Sequence, residues 1–161
     1  MADLNAIRTM AAKDAVAAKL ATAYVTIDGN RYLLFQAKKF EAKFKKDKKE
    51  VVILGRIAKG HKANGGDGTG SLTIYDNTPL FSKKMKEYKD TGVDFYFDIQ
   101  VTNYDPTSAA GRKTTIYKHC NIDGMTLSSF NADDDWLEQD IDFTFEDWEE
   151  PESYAILDGM E

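Results

Sequence analysis

The chain has 161 residues, 42% hydrophobic and 30% charged, with a formal net charge of −6, which suits one globular domain whose core needs no covalent staples. No apolar run reaches the roughly 18 residues of a membrane span, and the N-terminus lacks the apolar stretch of a secretion signal. A lone Cys120 excludes an internal disulfide framework, so the expectation is a chain kept in a reducing cytoplasm.

Residues 1–21 are Ala-rich and polar, able to form a helix but with a poor apolar stripe; they read as an N-terminal arm before a single domain at 22–161. TAYVTID alternates, with Ala23, Val25 and Ile27 on one face, and Asp28-Gly29 marks a hairpin turn. RYLLFQAKKFEAKFKK reads as one long strand whose apolar parity switches, which predicts a bulge near Gln36–Lys39. VVILG and SLTIY read as strands flanking a glycine-rich hairpin loop at about 55–70.

Thr78 and Pro79 open a helix as N-cap and first-turn residue. Phe81, Met85 and Tyr88 share one of its faces, and Gly92 stops it. DFYFDIQV, TTIYKHCNIDGM, MTLSSFNA and WLEQDIDFTFEDW complete the strands, with Phe97 and Ile99, then Ile141, Phe143 and Phe145, pointing inward. Seven or eight short strands with one helix predict a mainly β fold, a sandwich or small barrel with one flanking α-helix.

Charge is unevenly distributed. Lys38, Lys39, Lys43, Lys45, Lys46, Lys48, Lys49, Arg56, Lys59 and Lys62 crowd the middle of the chain, whereas no Lys or Arg follows Asp133. A basic middle and an acidic end attract each other, within a molecule or between copies.

The stretch GRIAKGHKANGGDGTGSLTIY poses the sharpest functional question, because its glycines and Lys62 suggest a phosphate cradle. No Gly-Lys-Ser/Thr occurs, a strand rather than a helix follows, and Ser71 stands where a dinucleotide fingerprint needs glycine. Asp67 is alone among glycines, so a calcium loop also fails. His61 and His119 lack metal-ligand spacing; His119 and Cys120 are strand neighbours pointing to opposite faces, so the thiol reads as a small buried hydrophobe. No catalytic constellation stands out, and neither an enzyme nor a cofactor is expected. The alternative is a small β-barrel that binds nucleic acid through Lys38–Lys49, with Phe40 and Phe44 interleaved for base stacking.

Three segments in order, GRIAKGHKANGGDGTGSLTIY, NTPLFSKKMKEY and FTFEDWEEPE, resemble the XkdM-like phage tail tube proteins, which include tubes of contractile tails and of phage-tail-like bacteriocins. The similarity runs from about Thr22 to Tyr154. It implies subunits that form hexameric rings with a shared inner β-barrel, stacked head-to-tail into a hollow tube. The implied partners are further copies, a tail sheath, baseplate and tape-measure proteins, and double-stranded DNA in the lumen of a phage, with no membrane. The implied location is a virion tail or bacteriocin particle, assembled in the host cytoplasm.

The resemblance also implies that the long hairpin holding the glycine loop reaches toward the adjacent ring, and the charge pattern fits contacts between subunits and rings of that kind. On the basic side they are Lys45, Lys46, Lys48, Lys49, Arg56, Lys59, His61 and Lys62, with Gly65, Gly66 and Gly68 giving a flexible tip that orders on its partner. On the acidic side they are Asp133, Asp134, Asp135, Glu146, Asp147, Glu149 and Glu150.

Overall fold

The computed structural model describes residues 8–161. Its strands are β1 (Ala21–Ile27), β2 (Asn30–Leu33), β3 (Ala37–Val51), β4 (Gly60–Tyr75), β5 (Phe97–Tyr104), β6 (Arg112–Met125), β7 (Glu138–Phe145) and β8 (Asp147–Glu152), with one α-helix, α1 (Leu80–Thr91), between β4 and β5. They form an antiparallel sheet in the order β2-β1-β5-β6-β7-β4-β3, with β8 beside β6. The expected mainly β fold with one flanking helix is what forms, as an open sheet curled over its own core.

The curl starts in β6. Its first half lies between β5 and β8, and its second half pairs with β7. At the crossing, Ile99 faces Tyr117 while Phe97 faces Cys120, so β6 carries one residue more than β5. His119 takes that extra position at φ 54°, and its N–H donates to Asp98 Oδ1 at 3.2 Å. A bulge of this kind bends a strand and sharpens its twist. The far end of the sheet thus folds back: Phe40 on β3 lies 5.6 Å from Tyr117 on β6, although β4 and β7 separate those strands in the sheet.

Between the two halves lie Val25, Ile27, Leu72, Ile74, Phe97, Ile99, Ile141 and Phe143, each at most 3% exposed. Burying side chains of this size contributes about 1.5–3 kcal/mol apiece. Helix α1 joins the core through fully buried Phe81, whose ring sits 6.0 Å from that of Phe97. Met85 also packs on the core, but Tyr88 is largely exposed, so the predicted apolar face is shorter than its spacing implied. Thr78 lies one residue before the N-cap, Pro79; its Oγ1 accepts from the Leu80 N–H at 3.4 Å. Gly92 ends the helix at φ 75°, its N–H donating to the Tyr88 carbonyl. The Asp28-Gly29 turn forms as predicted, with both residues at positive φ.

Four readings of the sequence change. RYLLFQAKKFEAKFKK is two strands, because the chain leaves β1 after Leu33 and crosses to β4 at Ala37. Leu34 is buried at the crossing and Phe35 is 84% exposed. The predicted bulge is present as a register shift between Ala37 and Lys39. MTLSSFNA is not a strand beyond Met125; 126–137 is a connecting loop. Residues 8–20 form no α-helix, only a single 3-10 turn at Ala12–Asp14. They are tied to the β5–β6 loop: Asp105 accepts from the Ala17 N–H and Asp14 from the Ala109 N–H, both at 3.0 Å. Residues 1–7 of the expected arm lie outside the described residues.

The fourth change is the largest. VVILG is mostly turn, and the glycines expected at a flexible tip lie within β4. Gly66, Gly68 and Gly70 share the inward parity of Leu72 and Ile74, and neighbouring aromatic rings fill the space their missing side chains leave. A Cβ at Gly66 would stand 2.6 Å from Phe44 Cζ, and one at Gly68 2.5 Å from Phe145 Cε2. At Gly70 it would meet the Phe143 ring and stand 2.9 Å from the Glu41 carbonyl oxygen. Glycine serves close packing here, not looseness. Gly70→Ala should therefore cost about 1–3 kcal/mol, as overpacked cores do. Urea denaturation measures it, and an unchanged midpoint would contradict the packing argument.

Candidate assembly surfaces

The basic residues converge on a ribbon. β4 pairs with β7 only from Gly68 to Tyr75, so before Gly68 it pairs with β3 alone. Lys45–Val51 and Gly60–Asp67 thus extend past the rest of the sheet as two strands. Lys45, Lys46, Lys48 and Lys49 lie on one strand, and His61, Lys62, Gly65 and Gly66 on the other; Gly68 sits at the base, where β7 begins to pair. Gly65, at φ 84°, lies in the register shift between Lys46 and Lys48, a bulge that needs a left-handed residue. Lys45 faces Asp67, whereas Lys49 faces Lys62, a like-charge pair that the isolated ribbon tolerates only because both are solvated.

The turn is Val52–Lys59, where Arg56 donates its N–H to the Ile53 carbonyl at 3.2 Å and Gly55 sits at φ 81°. Its side chains divide by chemistry. Val52, Leu54 and Ile57 are 80%, 101% and 105% exposed, so the tip is an aliphatic cluster in water. Lys59 is held by Glu50 at 3.2 Å, while Arg56 takes part in no ion pair among the described residues. The apolar character of VVILG predicts a strand; only the missing neighbours reveal it as part of a tip.

The acidic residues divide into two groups. Glu149 and Glu150 on β8 face the cations of β6, with Lys118 to Glu149 at 2.7 Å and Lys113 to Glu150 at 3.7 Å. The hydrogen bond from Lys118 to Glu149 raises the lysine's pKa, so this pair stays charged well above neutrality. Glu146 and Asp147 mark the break between β7 and β8; the Glu146 N–H donates to the Lys118 carbonyl, and Asp147 Oδ1 accepts from the Trp148 N–H. Much of the β8 charge is therefore spent within the subunit.

Asp133, Asp134 and Asp135 are different. They lie in the β6–β7 loop, their carboxylates outside every ion pair among the described residues. The same loop exposes Phe130 (93%) and Trp136 (73%). These rings line a groove of about 450 Å³ together with Asp134, Asp135, Asp140 and the Lys38–Glu138 pair. No sequence signal placed Phe130 and Trp136 there, because exposed aromatics look like core residues.

The other candidate chemistry does not assemble. Of Phe40 and Phe44, required for base stacking beside Lys38–Lys49, Phe40 stacks on Phe143, while Phe44 lies 4.8 Å from Trp148 and stays about half exposed. Asp67 is exposed on the ribbon. Cys120 is fully buried and His119 lies exposed at the bulge, so the two form no nucleophilic pair. Burial, reinforced by the Asp98 charge, pushes the Cys120 thiol up to about 12.

The model of a family described as "Phage tail tube protein" matches residues 8–152. This chain belongs to that family. The tail tube protein is 37% identical over 137 residues to the phage-like element PBSX protein XkdM of Bacillus subtilis (strain 168), covering 81% of this chain and 93% of that one. A second Bacillus subtilis protein, YqbM, is 37% identical over 134 residues, covering 79% and 91%. In fold the tail tube protein resembles a chain of the anti-feeding prophage baseplate (TM-score 0.61, 9% identity, 81% of this chain and 91% of that one). It also resembles one in the sheath–tube complex of the PVC extracellular contractile injection system (0.59, 14%, 81% and 88%) and the SPP1 tail tube (0.60, 10%, 89% and 81%). The family match begins at residue 8, so it takes in the docked N-terminal segment that the shorter resemblance left out.

Because the only thiol of the tail tube protein is buried and held protonated at neutral pH, Cys120 should resist an aromatic disulfide reagent in the native state and react at once in denaturant. Rapid native labelling would show that β6 opens at its bulge.

Proposed function

We propose that this tail tube protein is a non-enzymatic structural subunit of the inner tube of a contractile phage tail or phage-tail-like bacteriocin, forming hexameric rings that stack into a hollow conduit. The observation that carries the reading is the open edge of β3 in a chain of this family. β3 is a 15-residue strand that pairs with β4 on one side and has no strand on the other among the described residues. A long unpaired edge is a template for another chain, and closing it on a neighbouring copy, edge to edge around a ring, satisfies its free backbone groups.

The stacked rings need two different, complementary surfaces on each subunit, as any open head-to-tail assembly does. The basic ribbon and the acidic residues of the β6–β7 loop supply them in this reading, with sheath and baseplate proteins as further partners. Opposite charges across such a joint also favour encounter and register. In a phage, a lumen free of clustered cations lets DNA pass without adhering, since phosphate contacts dominate protein–DNA affinity.

Negative-stain electron microscopy of the concentrated, purified chain is the direct test. Rings or tubes of uniform diameter are expected. A strictly monomeric protein by sedimentation at every concentration and salt would overturn the reading.

A further inference from the structure

The stretch KANGGDG holds the only Asn-Gly step in the chain, Asn64-Gly65. The ribbon treats it differently from the residues on either side. The register runs through Lys45↔Asp67 and Lys46↔Gly66 and resumes at Lys48↔Ala63, so Asn64 and Gly65 together oppose the single residue Asp47. A bulge of this kind leaves its extra residue outside the ladder. Both residues are exposed, and Gly65 stands at φ 84° with nothing within 4 Å of where a Cβ would lie.

That combination opens a side-chain amide to attack by the main chain. A bond between the Asn64 Cγ and the Gly65 nitrogen closes a five-membered ring. In a paired strand the ladder holds the amide nitrogen in place, and a side chain on the following residue crowds the approach. The bulge removes the first obstacle and glycine the second. Lys46 and Lys48 flank Asp47 on the facing strand, and Lys62 lies two residues before Asn64, so three cations surround the step against one carboxylate. Their field favours the anion that forms when the Gly65 nitrogen gives up its proton.

We propose that Asn64 is a self-modification site, at which the free subunit converts a neutral amide into a carboxylate through attack by the Gly65 nitrogen. The N–Cγ bond forms as the Cγ–Nδ2 bond breaks, and ammonia leaves with the Gly65 amide proton, giving a cyclic imide. Water then opens the imide at either carbonyl. Attack at Cγ leaves an aspartyl residue in the original backbone; attack at the main-chain carbonyl leaves an isoaspartyl link that runs through the side chain. Either product sets a negative charge among Lys46, Lys48 and Lys62 on a ribbon whose charges are otherwise mainly positive. The chemistry belongs to the ribbon and holds whether or not the chain builds a tube.

Incubation of the purified soluble chain at mildly alkaline pH, followed by peptide mass mapping and enzymatic isoaspartate detection, tests the proposal. The peptide holding Asn64 is expected to gain the mass of an amide-to-acid change and to yield both products, at a rate within tenfold of that in guanidinium chloride. Asp67-Gly68 supplies the internal control, because Asp67 pairs with Lys45 and Gly68 with both Phe44 and Phe145; folding should suppress its isomerisation at least tenfold. Asn64→Gln, which keeps the amide but must close a larger ring, should abolish the conversion. Conversion of Asn64 more than tenfold slower in the folded chain than in denaturant, or an acidic product undiminished in Asn64→Gln, would overturn the proposal.

Discussion

The close packing of aromatic rings over the glycines of β4 is the constraint on which the rest of the molecule depends. With side chains at 66, 68 and 70, the inward face of β4 would hold Phe44, Phe143 and Phe145 away from the strand. Without them the rings lie against bare backbone, and a continuous aromatic row ties β3, β4, β7 and β8 together. That row anchors the base of a two-stranded ribbon that would be marginal by itself. The ribbon projects because its base is rigid.

The same row couples the ribbon to the bend in β6. Phe145 packs on Tyr117 with ring centroids 5.0 Å apart, just before the bulge at His119. The fold is thus a curled sheet with an aromatic seam, and both candidate assembly surfaces are continuations of strands in that seam. Charges follow the geometry: the acids of β8 are matched to β6 lysines inside the subunit, whereas those of the β6–β7 loop are not. Net sequence charge therefore overstates what β8 has available for partners and understates the contrast between the two ends.

Much of this was legible from the residues. The Asp28-Gly29 hairpin, the inward faces of β5 and β7, the stop at Gly92 and the bulge before Lys39 each have a local cause, such as alternation or positive φ, that a single segment records. The role of the β4 glycines was less so, because glycine gives no hydropathy signal; the clue was parity, since Gly66, Gly68 and Gly70 fall in step with Leu72 and Ile74. Val52, Leu54, Ile57, Phe130 and Trp136 misled for a different reason. Apolar residues imply burial, and in the proposed assembly some of that burial would lie on another molecule. The pairing of Lys113 and Lys118 with Glu150 and Glu149 depends on strand register, which charge counts do not reveal.

The direction of β4 carries one more consequence. A strand with an aliphatic, cationic tip at one end and an aromatic, acidic groove at the other is a vector, so copies that joined along it would all point the same way. One end of such a fibre would present bare tips, and the other empty grooves. Growth can then start at one end and be stopped at the other by two unlike proteins, one offering carboxylates and rings, the other offering an aliphatic, cationic finger. Length control in such a fibre reduces to which of the two arrives first.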